Sequence, residues 1–380
     1  MKKMIYCFYN LAYIFIYYMS RQIDAVILWV DASDQEWQRQ RMEHWDKYCK
    51  LHNLKCRHTN AENRFTSCGE LRYCLRGLYT FAPWLRKIYL VTNGQKPNWL
   101  KKHSKIKLIT HDQIMDAKHL PTFNSSAIEM NLHRIPGLSP AFIYLNDDFF
   151  LTRAVTQNHF FNSNGQAYYY TYSKLQVPEA DYYNSFNWII HSDRTVLDRL
   201  FGEKIRQRPF HQAFVVFKQA FEYLERNANQ IMQETSQHQF RPDSNLGQLS
   251  INIYAVEAIG LELGLYTSRP VDRKDYPLHQ YLTPVTLRTQ SSNLLSSPPI
   301  FLCINDLSTR EDAQVLEHVM SKLLPHPAPC EADRRSPPAP KNSDVYLRLR
   351  SYTNIHAVIP RSSFVKKRPP VTKIKYIPAI

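Results

Sequence analysis

Residues 24–31 read Asp24-Ala-Val-Ile-Leu-Trp-Val-Asp31: a continuous apolar run of strand length, rich in strand-forming side chains, closed by a carboxylate. Such a run is expected of a strand buried on both faces. Working outward, a helix is predicted from about Asp34 to Leu51 and another from Gly69 to Phe81, stopped by Pro83. Strands follow at 87–92, before the turn pair Asn93-Gly94, and near 105–110. A helix entered at Asn124 or Ser125 should run to Arg134, ahead of Pro136-Gly137. Phe142–Leu145 then reads as a fourth strand, leading into Asn146-Asp147-Asp148. Strands alternating with helices predict an α/β fold, a mostly parallel sheet with helices on both faces, Rossmann-like or GT-A-like. Ligands bind such sheets beyond the carboxyl ends of the strands, where Asp31, Asn93, Asp147 and Asp148 are expected to converge.

Further along, 160–210 is Tyr- and Asn-rich and reads as an irregular insertion. From His211 to about Ile259 the pattern reads as helical, with Phe214, Phe217, Phe221 and Leu224 as one apolar face. Phe301–Ile304 is a short strand ending in Asn305-Asp306. The segment from Pro325 is Pro-rich and reads as extended or disordered. The expected organisation is a hydrophobic extension at 1–22, a catalytic domain at 23–324 and a basic tail at 325–380.

Among 380 residues, 48 Lys+Arg face 33 Asp+Glu, a net charge of +15 that points to polyanionic partners. The last 50 residues hold 11 Lys+Arg against three acids, net +8, so the other 330 carry only +7. With 44% apolar and 13% aromatic residues the chain is not globally disordered, and the composition excludes collagen-like and disulfide-framework classes. The seven Cys have no CxxC pair and read as free thiols of a reducing, cytoplasmic compartment. The uncharged stretch 4–19 would span about 24 Å as a helix, short of the roughly 30 Å of a bilayer core. It reads as an interfacial anchor, an extension packed on the body, or upstream sequence translated ahead of a start at Met19.

Adjacent carboxylates at a strand end, Asp147 and Asp148, suit a hard divalent cation, or form a solvated turn. Asn305-Asp306 repeats the arrangement. Asp31 could hold a nucleotide ribose, act on a hydroxyl or cap the following helix. His211 is a candidate general base, and His133, Arg134, and His238 with Arg241 and Asp243 are further candidates. Arg64, Arg72, Arg76 and Arg134 could grip phosphate, or Glu70 and Arg72 could be solvated helix residues. There is no GxxxxGK[ST] loop and no GxGxxG, and Gly numbers only nine. Phosphate recognition must then rest on side chains and metal.

Four blocks together resemble the Stealth family, which includes bacterial capsular polysaccharide phosphotransferases and the enzyme that adds N-acetylglucosamine phosphate to lysosomal glycoproteins. They are IDAVILWVDASD (23–34); GELRYCLRGLYTFAPWLRKIYLVTNGQKPNWL (69–100) with LPTFNSSAIEMNLHRIPGLSPAFIYLNDDFFL (120–151); the segment from His211 through TSQHQFRPD (235–243); and FLCIND (301–306). Thr66-Ser67 stands where the family often has Arg-Asp, and Ala32 where it has Gly. The resemblance implies transfer of a sugar 1-phosphate from a nucleotide diphosphate sugar to a glycan hydroxyl, as in capsule synthesis. Taken with the residues themselves, it leads to the expectation that Asp148 and Asp306 hold Mg²⁺ or Mn²⁺, supported by Asp147 and Asn305, with His211 or Asp31 as the base. Arg72, Asn93, His133, Arg134, Arg241 and Asp243 would contact donor or acceptor. The partners are a nucleotide-sugar donor and a polysaccharide acceptor, with no specific nucleic acid. The basic tail would attach the enzyme to the cytoplasmic face of an anionic inner membrane, or be a solvated extension. An ordinary glycosyltransferase and a non-enzymatic polyanion-binding module are the rival readings.

Overall fold

The computed structural model describes residues 22–53, 65–176, 185–242, 246–272, 275 and 278–332. The N-terminal extension, Cys7, Cys56, Arg64, Asp243 and the basic tail from 333 lie outside the described residues.

The strands are β1 (Asp24–Leu28), β2 (Ile88–Thr92), β3 (Ile106–Thr110), β4 (Ala141–Asn146), β5 (Phe149–Leu151), β6 (Ala167–Gln176), β7 (Gln207–Pro209), β8 (Phe214–Phe217), β9 (Tyr266–Val271), β10 (His279–Leu282) and β11 (Phe301–Ile304). The helices are α1 (Gln35–His52), α2 (Glu70–Phe81), α3 (Ser125–Glu129), α4 (Ser185–Phe201), α5 (Lys218–Asn227), α6 (Asn229–Gln237), α7 (Ile253–Glu262), α8 (Pro284–Ser296) and α9 (Arg310–Leu323). The main sheet has the order β3-β2-β1-β4-β8. Its first four strands are parallel, with Ile27 opposite both Leu90 and Leu145, and β8 runs antiparallel to β4. Ala25, Val26 and Ile27 have no exposed surface, as a central strand covered on both faces requires. Two three-stranded sheets, β10-β11-β5 and β7-β6-β9, complete the α/β architecture.

Four sequence expectations change. The 160–210 segment, expected as an irregular insertion, carries β6, α4 and β7. His211 does not open a helix: Phe214–Phe217 is β8, four buried residues in a row, and only Phe221 and Leu224 lie on α5. Phe-Val-Val-Phe favours an extended backbone, and the three-residue spacing of its two Phe imitates a helical face. The helix expected over 124–134 ends at Glu129 and resumes as a 3-10 turn at Leu132–Arg134. The Asn131 side chain, between them, donates to Ala127 O and Ser236 Oγ. Finally, 325–332, expected in the extended tail, packs beyond β2: Lys101 N donates to Cys330 O and Ala332 N to Trp99 O, both at 2.7 Å. The five described cysteines, 49, 68, 74, 303 and 330, are free thiols. Among the described residues no helix is long and apolar enough to cross a membrane.

Candidate active site

Three neighbouring parallel strands deliver polar residues to one edge: β1 ends before Asp31, β2 before Asn93, and β4 before Asp147 and Asp148. The last two occupy the tight turn between β4 and β5, which moves the chain from the main sheet to the second one. There β11 pairs antiparallel with β5, and Ile304 N donates to Asp148 O at 3.2 Å. Asn305 and Asp306, which follow β11, therefore reach the same neighbourhood from a different sheet.

The centre is acidic. Glu70, in the first turn of α2, is only 5% exposed, and its Oε2 accepts from Cys68 N at 2.6 Å and Ser67 Oγ at 3.1 Å. It is not the solvated helix residue it could be from sequence. Burial, with Glu70 and Asp148 close by, pushes the Asp147 carboxyl well above its usual range. Burial first and Glu70 second push Asp148 up to about 7, with Asp306 adding to the repulsion. Asp148 Oδ1 is buried without a hydrogen-bond partner, while Oδ2 accepts from the Cys303 thiol at 3.8 Å. Carboxylates crowded in this way are stabilised by a cation.

His211 completes the centre. One donor atom each from Asp148, His211 and Cys303 lies within 4.8 Å of the others, so these three residues could hold a metal ion. The His211 ring packs edge-on against Phe149, and its Nδ1 lies 2.5 Å from Tyr254 Oη. Burial, helped by the cations Arg208 and Arg241, lowers its pKa to about 4, so the ring is neutral near pH 7. Asn305 Nδ2 donates to Tyr281 Oη at 3.0 Å, and Asp306 takes the left-handed conformation at φ 63°.

Arg241 is held from α3, where Ser125 Oγ accepts from its Nη2 at 2.7 Å, and it is offset in charge by Glu129. Glu129 Oε2 accepts from Ile253 N at 3.0 Å, and its Oε1 lies 2.9 Å from Tyr144 Oη, itself 2.8 Å from Asn146 Oδ1. A polar chain thus runs from Arg241 to the residue preceding the acidic pair.

Other expected site residues are placed elsewhere or engaged. Asp31 Oδ1 accepts from Ser33 N and Oγ, and helix capping falls to Asp34, which accepts from Glu36 N and Trp37 N. Asn93 is exposed, its Oδ1 accepting from Gln95 N. Arg72 lies over the Trp99 ring, 3.7 Å from Glu331, while Arg76 forms a buried bidentate pair with that same carboxylate. His133 and Arg134 both contact Glu225, at 3.0 and 3.3 Å. Sequence reasoning missed Glu70, Glu129, Tyr254 and Cys303. Only Cys303, inside the strand leading to Asn305-Asp306, carried a positional signal.

An α/β protein with an acidic centre able to take a cation, set beyond the ends of parallel strands, is the class defined by this fold and site. The description Stealth protein CR1, conserved region 1, matches residues 21–42, and Stealth protein CR2, conserved region 2, matches 64–169. The chain belongs to the Stealth family. It is 34% identical over 327 residues to an exopolysaccharide phosphotransferase of Streptomyces coelicolor, covering 83% of this chain and 53% of that protein. A capsular polysaccharide phosphotransferase of Neisseria meningitidis serogroup B is 46% identical over 151 residues, 38% of this chain and 39% of the relative. An exopolysaccharide phosphotransferase of Lactiplantibacillus plantarum is 45% identical over 144 residues, 38% and 40% respectively. The chain thus spans about half the length of the first of these relatives, and its matches to the other two cover about two-fifths of theirs.

Proposed function

We propose that this chain transfers a sugar 1-phosphate from a nucleotide diphosphate sugar, of the UDP-hexose or UDP-N-acetylhexosamine type, to a glycan hydroxyl. A phosphodiester forms and a nucleoside monophosphate leaves, in the synthesis of a capsular or exopolysaccharide. The observation that carries this reading is the convergence of Asp148, His211 and Cys303 beside Glu70 and Asp147, a centre that can take a cation and a phosphoryl group. The activities named for the relatives support it.

In this reading Asp148 and Asp306, supported by Asp147 and Asn305, hold Mg²⁺ or Mn²⁺. The partnerless Oδ1 of Asp148 suits a hard cation. Cys303 suits it less, since burial and then Asp148 hold the thiol well above its usual pKa, keeping it protonated. When bound, the cation would neutralise pyrophosphate oxygens. In the tautomer whose Nδ1–H donates to Tyr254 Oη, His211 Nε2 keeps a lone pair and takes the proton of the attacking hydroxyl. Arg241 stabilises charge on the transferred group, and Glu129 positions it. Asp31 remains the second candidate base, and Arg72, Asn93, His133, Arg134 and Asp243 lie outside this assignment. The basic tail would hold the enzyme against anionic lipid at the cytoplasmic membrane face.

Incubation with a UDP-sugar, a glycan acceptor and Mg²⁺ or Mn²⁺ tests the reading. UMP release is expected. UDP release would instead mean attack at the anomeric carbon, and no turnover combined with DNA binding that survives removal of 333–380 would mean a polyanion-binding module.

A further inference from the structure

A second site lies between α4, α7 and the β7-β6-β9 sheet, where a cavity of about 260 Å³ is lined by residues of all three. Thr171 of β6 and Asp193 of α4 line it, and both are almost wholly buried, at 1% and 4% exposure. Thr171 Oγ1 and Asp193 Oδ2 have no hydrogen-bond partner. Asp193 Oδ1 accepts from Asn252 N at 3.0 Å, so the carboxyl group is fixed and its second oxygen is left over. Buried polar atoms without partners are rare, and two on separate elements around one cavity call for an explanation.

Much of the remaining wall is apolar, Ile190 and Leu197 on one side and Ala258 and Leu261 on the other, with the charged residues Arg194, Lys204, Arg206 and Glu262 beside them. Apolar walls with a few polar groups are the usual make-up of a small-ligand site. Since a water occupies about 30 Å³, the space holds several waters or one six-membered ring. Lys204 and Ile205 also line the cavity and are exposed, Ile205 at 73%, so it opens to solvent.

The charges select among ligands. Arg206 is paired with Asp198 and Glu262, Lys204 with Glu262, and Arg194 with Asp198. Every cation lining the cavity is thus already ion-paired, the three of them sharing Asp198 and Glu262, and Asp193 adds a further carboxyl to the wall, which disfavours a phosphate. A purely apolar guest would leave Thr171 and Asp193 unsatisfied. A neutral polyhydroxylated ring answers both, with hydroxyls for the polar atoms and C–H faces for the aliphatic walls. Tyr254 also lines the cavity, while its hydroxyl lies against His211 Nδ1, so one side chain is shared with the candidate active site.

We infer that this cavity is a monosaccharide subsite, seating one neutral pyranose unit against Thr171 and Asp193. Assigning that unit to the glycan acceptor rests on the function proposed above; the seating of a sugar does not.

Saturation-transfer NMR of the full chain with glucose, galactose, N-acetylglucosamine and their UDP derivatives tests it. At least one free sugar should bind the unsubstituted protein, bind Thr171→Val tenfold or more weakly, and be lost from Ala258→Phe, which fills the space. Thr171→Val only removes a partnerless hydroxyl, so its thermal unfolding should match that of the unsubstituted protein. No free-sugar binding, or equal binding by all three proteins, overturns the subsite. Signals confined to the sugar ring of a UDP-sugar and weakened by Thr171→Val would keep the sugar subsite but overturn its assignment to the acceptor. Sugar binding as expected without UMP release would sink the proposed function and leave the subsite standing.

Discussion

Cys303 Sγ lies 3.8 Å from Asp148 Oδ2, a contact that joins the second sheet to the turn at the end of the main one. The backbone repeats the link, with Ile304 N on Asp148 O. The acidic pair is therefore fixed from two directions, by β4 before it and by β11 across from it. Rigid support of this kind lets a site keep like charges close together before any ligand arrives.

On the proposed function, Asp148→Asn should lower nucleotide-sugar turnover by about 10²–10³-fold, the scale expected when one electrostatic group in a catalytic site is lost. The fold should hold, since the change removes a charge crowded by Glu70 and Asp306. Cys303→Ser should keep activity within about tenfold, because a protonated thiol serves as a hydrogen-bond donor and Ser donates as well. Steady-state rates with matched thermal unfolding decide. A Cys303→Ser variant as inactive as Asp148→Asn would make the thiolate a metal ligand.

Gly77→Ala should destabilise the protein by about 1–3 kcal/mol, the cost of overpacking a close contact. Gly77 lies inside α2, where Ala normally improves a helix. A Cβ there would sit 2.5 Å from Leu151 O, the backbone of β5, which cannot rotate away. Urea unfolding measures the change, and a stabilised variant would mean that α2 and β5 approach less closely.

How far the sequence disclosed this arrangement depends on where the signal is local. The β1, β2 and β4 runs are apolar throughout and end in polar residues, so the parallel sheet and its ligand edge are legible from order alone. His211 was found as a candidate, but its setting was not, because Phe214 and Phe217 satisfy a helical spacing and a strand equally well. Glu70 and Glu129 are helix residues in sequence; what sets them apart is tertiary, the Asp147-Asp148 turn close to the first and Ile253 N bonded to the second, both distant in the chain. The Arg residues expected to grip phosphate illustrate the same limit. Nothing near Arg76 in sequence announces Glu331, 255 residues away.

That ion pair gives a stability test. The Arg76 and Glu331 side chains are each 1% exposed and meet at 2.7 and 2.8 Å, with Leu324 O and Ala328 N satisfying further polar atoms. Glu331→Ala should cost about 3–5 kcal/mol, because it leaves a buried guanidinium uncompensated. The double variant Arg76→Met with Glu331→Leu should recover most of that loss. Denaturant unfolding of the three variants checks it, and a mild Glu331→Ala phenotype would show that Arg72 and Arg76 reach solvent instead.

His279, 3% exposed, stacks on Phe301 at 5.2 Å, and its Nδ1 lies 2.6 Å from Gln212 Oε1, with Tyr170 and Phe210 also against it. Burial, aided by Arg269 and opposed by Asp275, lowers its pKa from 6.5 to about 4. The unfolded chain therefore binds this proton at a higher pH than the folded one. Stability contributed by the neutral ring is complete above pH 6.5, declines as pH falls, and is lost once pH passes below about 4. Over that window the loss amounts to on the order of 3 kcal/mol at one site. His279→Asn keeps a donor for Gln212 and removes the titration, so its unfolding free energy should fall less steeply between pH 6.5 and 4. His111, His211 and His238, each also lowered to about 4, leave a residual slope in both proteins. Identical slopes for the two proteins would mean that His279 is already protonated in the folded state and that the surrounding aromatic rings tolerate the charge.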